Sequence, residues 1–266
     1  MKEFPQLGFG TYKLEDRDEC VEAVTTALDV GYRHIDTAQM YDNEEFVGEG
    51  LAESDVDLDD IFVATKLDTD NLGYDDVLET ARESAEKLGV ETIDLLYVHW
   101  PLDSYDEAET LAALDELYED GLIANIGLSN FRPDQLETAI ESLDAPVFAH
   151  QVEMHPLLQQ DELRAFAEEH DHYLVAYSPI ARNEVAENET IVDIAEKHDA
   201  SPAQVSLAWL MAKGATPIPK AASPEHIRDN FAALDLELDD EDVAAIDAID
   251  ETHRIVDFDE APWNQV

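Results

Sequence analysis

The sequence has few basic residues, a single cysteine and no long apolar run, and each shortage argues against a class of protein. Lys and Arg number 15 against 64 Asp and Glu, which gives a formal net charge of −49. Such a charge repels nucleic-acid phosphates and anionic membrane surfaces, so neither is expected as a partner. Cys20 has no second cysteine to pair with, and its place in a helical pattern predicts a small buried apolar side chain.

The chain also lacks an apolar segment near its N-terminus and any stretch long enough to span a membrane. Together with the absence of disulfides, this predicts a cytoplasmic protein. Hydrophobic residues make up 45% and aromatic residues 8% of the chain. Because apolar runs recur to the end of the sequence, the acidity does not indicate disorder. We expect a folded protein in which residues 1–266 form a single domain.

The excess of acidic residues predicts adaptation to concentrated salt. At multimolar ionic strength the Debye length is about 3 Å or less, so surface carboxylates barely repel one another. We therefore expect a halophilic, haloarchaeal source. A simple gain in solubility is the alternative, and full stability in dilute buffer would favour it. The acidic runs 57–60 and 239–242 are interpreted as solvated surface.

Short apolar runs alternate with amphipathic stretches along the whole chain. The apolar runs, each interpreted as a strand, lie near residues 7–11, 33–36, 61–66, 93–99, 123–129, 148–153, 173–178 and 216–219. Alternation of strands with helices implies parallel pairing, and about eight such units in this length imply a (β/α)8 TIM barrel. Residues 201–213 and 239–248 predict additional helices toward the C-terminus.

A doubly wound parallel sheet is the competing fold. Its phosphate-binding fingerprint, Gly-x-Gly-x-x-Gly after the first strand, is absent from this chain. Gly8-Phe9-Gly10 lacks the third glycine, and no helical pattern follows it directly. The barrel is therefore favoured.

Polar residues stand where the predicted strands end. They are Asp36 with Tyr41 in the loop after it, Lys66, His99-Trp100, Ser129-Asn130, Gln151, Tyr177-Ser178 and Lys220. A barrel enzyme has its active site at the carboxyl ends of its strands. These side chains are thus expected to converge on one rim.

Four of these residues suggest a specific chemistry. A buried Lys66 needs a carboxylate partner, which Asp36 supplies. The ammonium is expected to lower the pKa of Tyr41 below about 10 and make it a proton donor to a developing alkoxide. A neutral His99 would orient a carbonyl oxygen. Since no metal-ligand cluster or activated serine is evident, hydride from a nicotinamide is the expected attacking group.

Seven motifs in these regions follow one another in a characteristic order. They are GTYKL at 10–14, GYRHIDTAQMYDNE at 31–44, IDLLYVHWP at 93–101, IGLSNF at 126–131, QVEMHP at 151–156, AYSP at 176–179 and IPK at 218–220. On these motifs, which span nearly the whole chain, the sequence resembles the aldo-keto reductases, in particular microbial members similar to 2,5-diketo-D-gluconate reductase. The resemblance implies a catalytic tetrad of Asp36, Tyr41, Lys66 and His99, an NADPH cofactor and a small-molecule carbonyl substrate.

The resemblance also implies the cofactor contacts. Ser129, Asn130 and Gln151 would hold the nicotinamide amide, and Tyr177 would stack on the ring. Thr11 and Asp36 would lie near the nicotinamide ribose, and Ser178 and Ile180 near the pyrophosphate. Lys220, Ser223 and Asn230 would lie at the adenosine end, and Gly10 and His226 are further expected cofactor-binding residues. Tyr12, Trp100 and Trp263 would form the substrate pocket. The short segment after Pro101 and the short C-terminal tail predict an open mouth for small or varied carbonyls such as methylglyoxal.

One departure from the family pattern weakens the expected preference for NADPH over NADH. Ala221 follows Lys220, and His226 stands where an arginine, the better phosphate ligand, is usual. Lys220 still favours NADPH, with use of NADH as well.

Two other functions stay open at this point. One is an NADPH-binding regulatory protein resembling the channel-associated β subunits of the family. The other is a metal-dependent hydrolase that uses the alternating pair His34 and Asp36, with His150 and His155 further along the chain, although no clear third ligand stands on a neighbouring strand. By resemblance to such microbial members, we expect a monomer.

Overall fold

The computed structural model describes residues 2–265, and within them eight parallel strands form one sheet in chain order. The strands are β1 Phe9–Gly10, β2 His34–Asp36, β3 Phe62–Leu67, β4 Leu95–Val98, β5 Ile126–Ser129, β6 Val147–Glu153, β7 Tyr173–Tyr177 and β8 Ala215–Pro217. The sheet closes on itself because the Gly8 amide donates to the Pro217 carbonyl at 3.0 Å and the Gly10 amide to the Pro219 carbonyl at 3.1 Å. The predicted (β/α)8 barrel is confirmed.

Helices connect the strands and form the outer layer. They are α1 Arg17–Val30, α2 Glu44–Glu53, α3 Tyr74–Leu88, α4 Glu107–Glu119, α5 Pro133–Ser142, α6 Asp161–His170, α7 Glu189–His198, α8 Pro202–Ala212, α9 Pro224–Phe231 and α10 Asp240–Asp247. The two additional helices predicted from the sequence are α8, which lies with α7 between β7 and β8, and α10, which follows the last unit.

Local sequence accounts for several helix boundaries. The hydroxyl of Ser201 accepts a hydrogen bond from the Gln204 amide, and Pro202 occupies the first turn of α8, a pattern typical of helix N-termini. Helix α3 ends at Gly89, whose φ of 69° lies in the left-handed region that favours glycine.

An aromatic cluster closes the amino-terminal end of the barrel. Phe4, Phe62, Phe148 and Tyr173 pack with ring centroids about 5 to 6 Å apart, and all six residues of β3 are buried. Because this end is filled with apolar rings, space for a ligand lies at the carboxyl end of the strands.

Cys20 and the two acidic runs differ in their exposure to solvent. Cys20 is buried as predicted, and burial raises the pKa of its thiol to about 12. The acidic run 57–60 is exposed, but Asp242 in the second run is buried. It accepts hydrogen bonds from Lys197 Nζ and His198 Nε2, both at 2.7 Å. The interpretation of Asp242 as solvated surface is wrong, because α10 folds back onto the end of α7.

No helix within residues 2–265 is long and apolar enough to cross a membrane. That residues 1–266 form a single domain stays a prediction.

Candidate active site

The carboxyl ends of the strands surround one cavity of about 620 Å³. The lining includes thirteen of the residues selected from the sequence: Gly10, Thr11, Tyr12, Asp36, Tyr41, His99, Trp100, Asn130, Gln151, Tyr177, Ser178, Ile180 and Lys220. Parallel pairing sets this convergence, since it places Gly10 opposite Asp36 and Ser129 opposite Gln151. Lys13, Met40, Arg182, Val256 and Phe258 also line the cavity and were not selected.

Asp36 and Lys66 form a buried ion pair beneath the cavity. Lys66 is fully buried and Asp36 is 1% exposed. The ammonium of Lys66 donates to Asp36 Oδ1 and, at 2.7 Å, to the Thr37 carbonyl. Gln151 Nε2 donates to the other carboxylate oxygen at 2.9 Å. Burial opposes the charge on Lys66, but Asp36 and Tyr41 outweigh it and raise the pKa of Lys66. The ammonium therefore keeps its charge inside the barrel.

Tyr41 lies against this pair and against His99. Lys66 Nζ is 5.0 Å from the centre of the Tyr41 ring, and the Tyr41 and His99 ring centroids are 5.7 Å apart. Burial raises the pKa of Tyr41 above its usual value, and the nearby Lys66 reverses this only in part. The expectation of a pKa below about 10 is wrong for the protein alone, because desolvation of the phenolate exceeds the attraction of the ammonium. Tyr41 thus holds its proton at neutral pH.

His99 is held neutral by its surroundings. Burial, and then the positive charge of Lys66, lower the pKa of His99 well below its usual value. A neutral imidazole can hydrogen-bond to a substrate oxygen without adding charge. The Asn130 side chain donates to the His99 carbonyl at 3.0 Å, which ties the ends of β4 and β5 together.

A second polar group lies beside the tetrad. Tyr177 donates through its hydroxyl to Asn130 Oδ1 at 2.9 Å, and Ser129 Oγ donates to the Gln151 carbonyl at 3.0 Å. Ser129 is buried and does not line the cavity, whereas Asn130, Gln151 and Tyr177 do.

Of the residues assigned to the adenosine end of the cofactor, some line the cavity and others do not. Lys220 is half-buried and lines the cavity. Ser223 caps α9 by accepting from the His226 amide at 3.3 Å, His226 is exposed and Asn230 is buried. These three residues of the α9 region do not line the cavity.

The side chains that line the cavity suit a dinucleotide chemically. Lys220 and Arg182 are cations from the segments that follow β8 and β7, while Asn130 and Gln151 offer amide groups beside the tetrad. A nicotinamide dinucleotide carries phosphates in one part and an amide-bearing ring in another. The two cations suit the phosphates, and the two side-chain amides suit the amide of the ring. Arg182 was missed from the sequence. The scarcity of basic residues was the one available signal, because an arginine in a loop has no other distinguishing pattern.

Trp263 lies behind the cavity wall. Its ring is 5.6 Å from that of Trp100, the guanidinium of Arg254 stacks over it at 4.0 Å, and its indole N–H donates to Asp257 at 3.1 Å. Trp263 is not among the residues that line the cavity, whereas Phe258, whose ring is 5.1 Å from that of Trp100, is.

The histidines considered for a metal site are separated. His34 and His150 are fully buried, and their ring nitrogens have no hydrogen-bond partner in the described part of the chain. Burial lowers the pKa of His34 to about 4 and that of His150 to about 3. Residues 2–265 contain no group of three or more His, Cys, Asp or Glu side chains that could hold a metal ion. The described chain thus offers no ligand set for a metal-dependent hydrolase.

Comparison with known proteins gives consistent matches across nearly the whole chain. The Aldo/keto reductase family matches residues 6–251. Methylglyoxal reductase of Escherichia coli O157:H7 is 40% identical over 255 residues, covering 95% of each chain. Glyoxal reductase of Bacillus subtilis is 39% identical over 254 residues, covering 95% of this chain and 91% of its own.

Solved structures give the same result. An aldo-keto reductase from a Medee basin deep-sea metagenome library superposes with a TM-score of 0.92 at 37% identity, covering 96% of this chain and 94% of its own. A putative 2,5-diketo-D-gluconic acid reductase B superposes with a TM-score of 0.88 at 36% identity, covering 91% of this chain and 86% of its own. An aldo-keto reductase of Bombyx mori in complex with NADP superposes with a TM-score of 0.89 at 31% identity, covering 97% of this chain and 92% of its own.

Proposed function

The chain belongs to the aldo/keto reductase family and is an oxidoreductase that acts on carbonyl groups, and from this premise we propose that it reduces aldehydes or ketones with NADPH, Tyr41 being the proton donor. The observation that carries the proposal is the buried Asp36–Lys66 pair placed directly beside Tyr41 and His99 at one cavity. An ammonium at this point stabilises the negative charge that develops on Tyr41 as its proton leaves.

Each member of the tetrad has a distinct part in the proposal. Tyr41 gives its proton to the carbonyl oxygen as that oxygen becomes an alkoxide. Lys66 stabilises the resulting phenolate, and Asp36 keeps Lys66 charged and in place. His99, neutral because of burial, donates a hydrogen bond that orients the carbonyl oxygen. A reduced nicotinamide held in this cavity would supply the hydride for the carbonyl carbon.

The same cavity suggests how this chain would hold the cofactor. Asn130 and Gln151 would contact the nicotinamide amide, with Tyr177 against the ring and Gly10 and Thr11 on the opposite wall. Lys220 and Arg182 would contact phosphates, with Ser178 and Ile180 between them. We propose that Lys220 favours NADPH and that NADH is also used, because His226 is exposed and lacks the bidentate guanidinium with which an arginine binds phosphate.

We propose small or varied carbonyls as substrates. Tyr12, Met40, Trp100 and Phe258 form an apolar wall, which suits aldehydes without a required charged group. The relatives named glyoxal and methylglyoxal reductase support the smaller end of this range. We further propose that the enzyme acts as a monomer in a salt-rich cytoplasm.

Turnover with a panel of carbonyls, measured in concentrated KCl with NADPH and NADH, tests the proposal. Tyr41→Phe should lower kcat by about 10²- to 10⁴-fold, the usual contribution of a general acid, while cofactor affinity and the circular dichroism spectrum stay unchanged. Comparable turnover in Tyr41→Phe would show that another group is the acid. Tight NADPH binding by the wild-type protein without oxidation by any carbonyl would instead support a regulatory, cofactor-binding protein.

A further inference from the structure

Residues 251–265, here called the strap, run along one side of the cavity mouth after α10. Two of its side chains, Val256 and Phe258, line the cavity. Apart from a single turn at Pro262–Asn264, the strap has no regular secondary structure. Hydrogen bonds within the strap, such as those from Trp263 and Asn264 to Asp257, shape its last part, and contacts with the barrel hold it beside the cavity.

Two contacts hold the first part of the strap to the barrel. The His253 amide donates to the Leu157 carbonyl at 2.8 Å, and Glu153, the last residue of β6, binds the two residues that follow Arg254. Its carboxylate has no solvent exposure. Oε1 accepts from the Ile255 amide at 2.5 Å and from His155 Nε2 at 3.1 Å, and Oε2 accepts from the Val256 amide at 2.7 Å. A buried carboxylate is strongly unfavourable unless such donors satisfy it, so both oxygens are committed to this arrangement.

Glu153 has no place in the proposed chemistry. It belongs to the same motif as Gln151, but its side chain is bonded to the strap and to His155, and it does not line the cavity. The mechanism accounts for Gln151 and leaves Glu153 and His155 without a role.

The far end of the strap is held independently. Arg132 Nη1 donates to the Pro262 carbonyl at 3.0 Å and to the Gln265 carbonyl at 3.2 Å. Phe258 lies between this anchor and the one at Glu153, with its ring 5.1 Å from that of Trp100. The two anchors thus hold the stretch that walls the cavity in one conformation.

We propose that Glu153 is a positioning residue that holds the strap against the cavity and so determines how tightly a carbonyl substrate is retained. The proposal rests on the proposed function in one respect, namely that the cavity binds a substrate. Without the carboxylate, the partly buried Ile255 and Val256 amides would lose their acceptor, and the segment would move outward so that water could replace it. The tetrad would keep its geometry, because Glu153 does not contact it.

Glu153→Gln is the primary test, since it keeps the shape and one acceptor oxygen but presents an amide N–H to one of the two strap amides. We expect faster hydrogen–deuterium exchange at Ile255 and Val256. We also expect the KM for an aldehyde to rise by about tenfold, the loss that accompanies removal of a hydrogen bond to a charged group, with a smaller change in kcat.

Asp94→Asn is the matched control. Asp94 is also a buried carboxylate that accepts from a backbone amide, that of Val63 at 2.9 Å, and from Lys2 at 2.9 Å. It lies near the closed end of the barrel, so its variant should leave exchange at 255 and 256 and the KM unchanged. An equal rise in KM in both variants would mean a general loss of stability and would overturn the proposal.

Phe258→Ala provides a variant that leaves the buried contacts intact. The side chain is 37% exposed, so folding should be kept, and the KM should rise as in Glu153→Gln. Unchanged exchange at 255 and 256 in Glu153→Gln, or an unchanged KM in Phe258→Ala, would overturn the inference. The exchange measurement does not depend on turnover, so failure of the proposed function is distinguishable from failure of this one.

Discussion

At the scale of single residues, the basic side chains are informative because they are few: the chain has 15 Lys and Arg against 64 Asp and Glu. Several pair with surface carboxylates, as Lys213 does with Asp247. Lys66 is buried in the tetrad, and Lys220 lines the cavity without an ion pair within the described residues. A cation left at a cavity in so acidic a protein indicates an anionic ligand.

Lys220→Ala should therefore affect the two cofactors differently. If Lys220 contacts the 2′-phosphate, its loss should raise the KM for NADPH by about tenfold, as expected for one charge-assisted hydrogen bond, and leave that for NADH nearly unchanged. Steady-state kinetics with each cofactor measures this, with Lys213→Ala, a lysine paired with Asp247 at 2.7 Å, as the control. An equal rise in KM for the two cofactors would mean that Lys220 does not contact the 2′-phosphate.

Buried His34 predicts a pH dependence of stability. Its folded pKa is about 4, whereas in the unfolded chain a histidine titrates near about 6.5. The unfolded state binds more protons between these values, so stability is full above pH about 6.5 and falls toward pH about 4, by about 1.4 kcal/mol per pH unit.

Urea unfolding at a series of pH values tests this, with His34→Leu as the variant. The slope of the unfolding free energy below pH about 6.5 should be shallower in the variant by about that amount, and the two profiles should run parallel above it. The same slope in both proteins at acid pH would contradict the assignment.

At the scale of elements, the close approach of α2 and α3 depends on one glycine. A Cβ built on Gly48 would lie 2.1 Å from the Lys87 carbonyl oxygen and 3.0 Å from the Leu88 Cα. These are backbone atoms of the neighbouring helix and cannot rotate away. Gly48 therefore sets the distance between two helices that follow successive strands.

Gly48→Ala should lower the free energy of unfolding by about 3 kcal/mol, the upper end for overpacking. Gly73→Ala is the control, because its Cβ would meet only the flexible end of Asp76 at 3.3 Å, and its cost should be below about 1 kcal/mol. Chemical denaturation measures both. Similar losses would mean that the helices separate easily.

At the scale of the whole molecule, the charge of −49 predicts that the stability of the fold depends on the salt concentration. Net charge of this size destabilises a compact state by repulsion. The Debye length falls from about 10 Å at 0.1 M salt to about 3 Å at 1 M, so concentrated salt removes most of that repulsion.

We expect the melting temperature to rise steeply with KCl. An uncharged osmolyte at equal osmolarity, which does not screen charge, is the control and should have a smaller effect. Full stability in dilute buffer would contradict the proposal that the protein is adapted to salt and would leave solubility as the reason for its acidity.

Much of the fold was predictable because its signals are local. Strand and helix periodicities differ, helix-start patterns such as Ser201-Pro202 lie in adjacent positions, and alternation of elements implies parallel pairing. The residues at the ends of the strands could be identified for the same reason, and nine of the eleven named from the sequence line the cavity, all except Lys66 and Ser129. Their catalytic and cofactor-binding roles stay proposals.

What the sequence by itself determined is the order of the elements and which chemical groups stand at the strand ends, because both depend on neighbouring residues. The tertiary structure alone decided that Tyr41 has a raised pKa, that Asp242 is buried, and that Phe258 rather than Trp263 walls the cavity. Desolvation depends on everything packed around a group, and the contact of Glu153 with Ile255 joins residues 102 positions apart. No local pattern records such a contact, since it exists only once the barrel has closed and the strap has folded back across it.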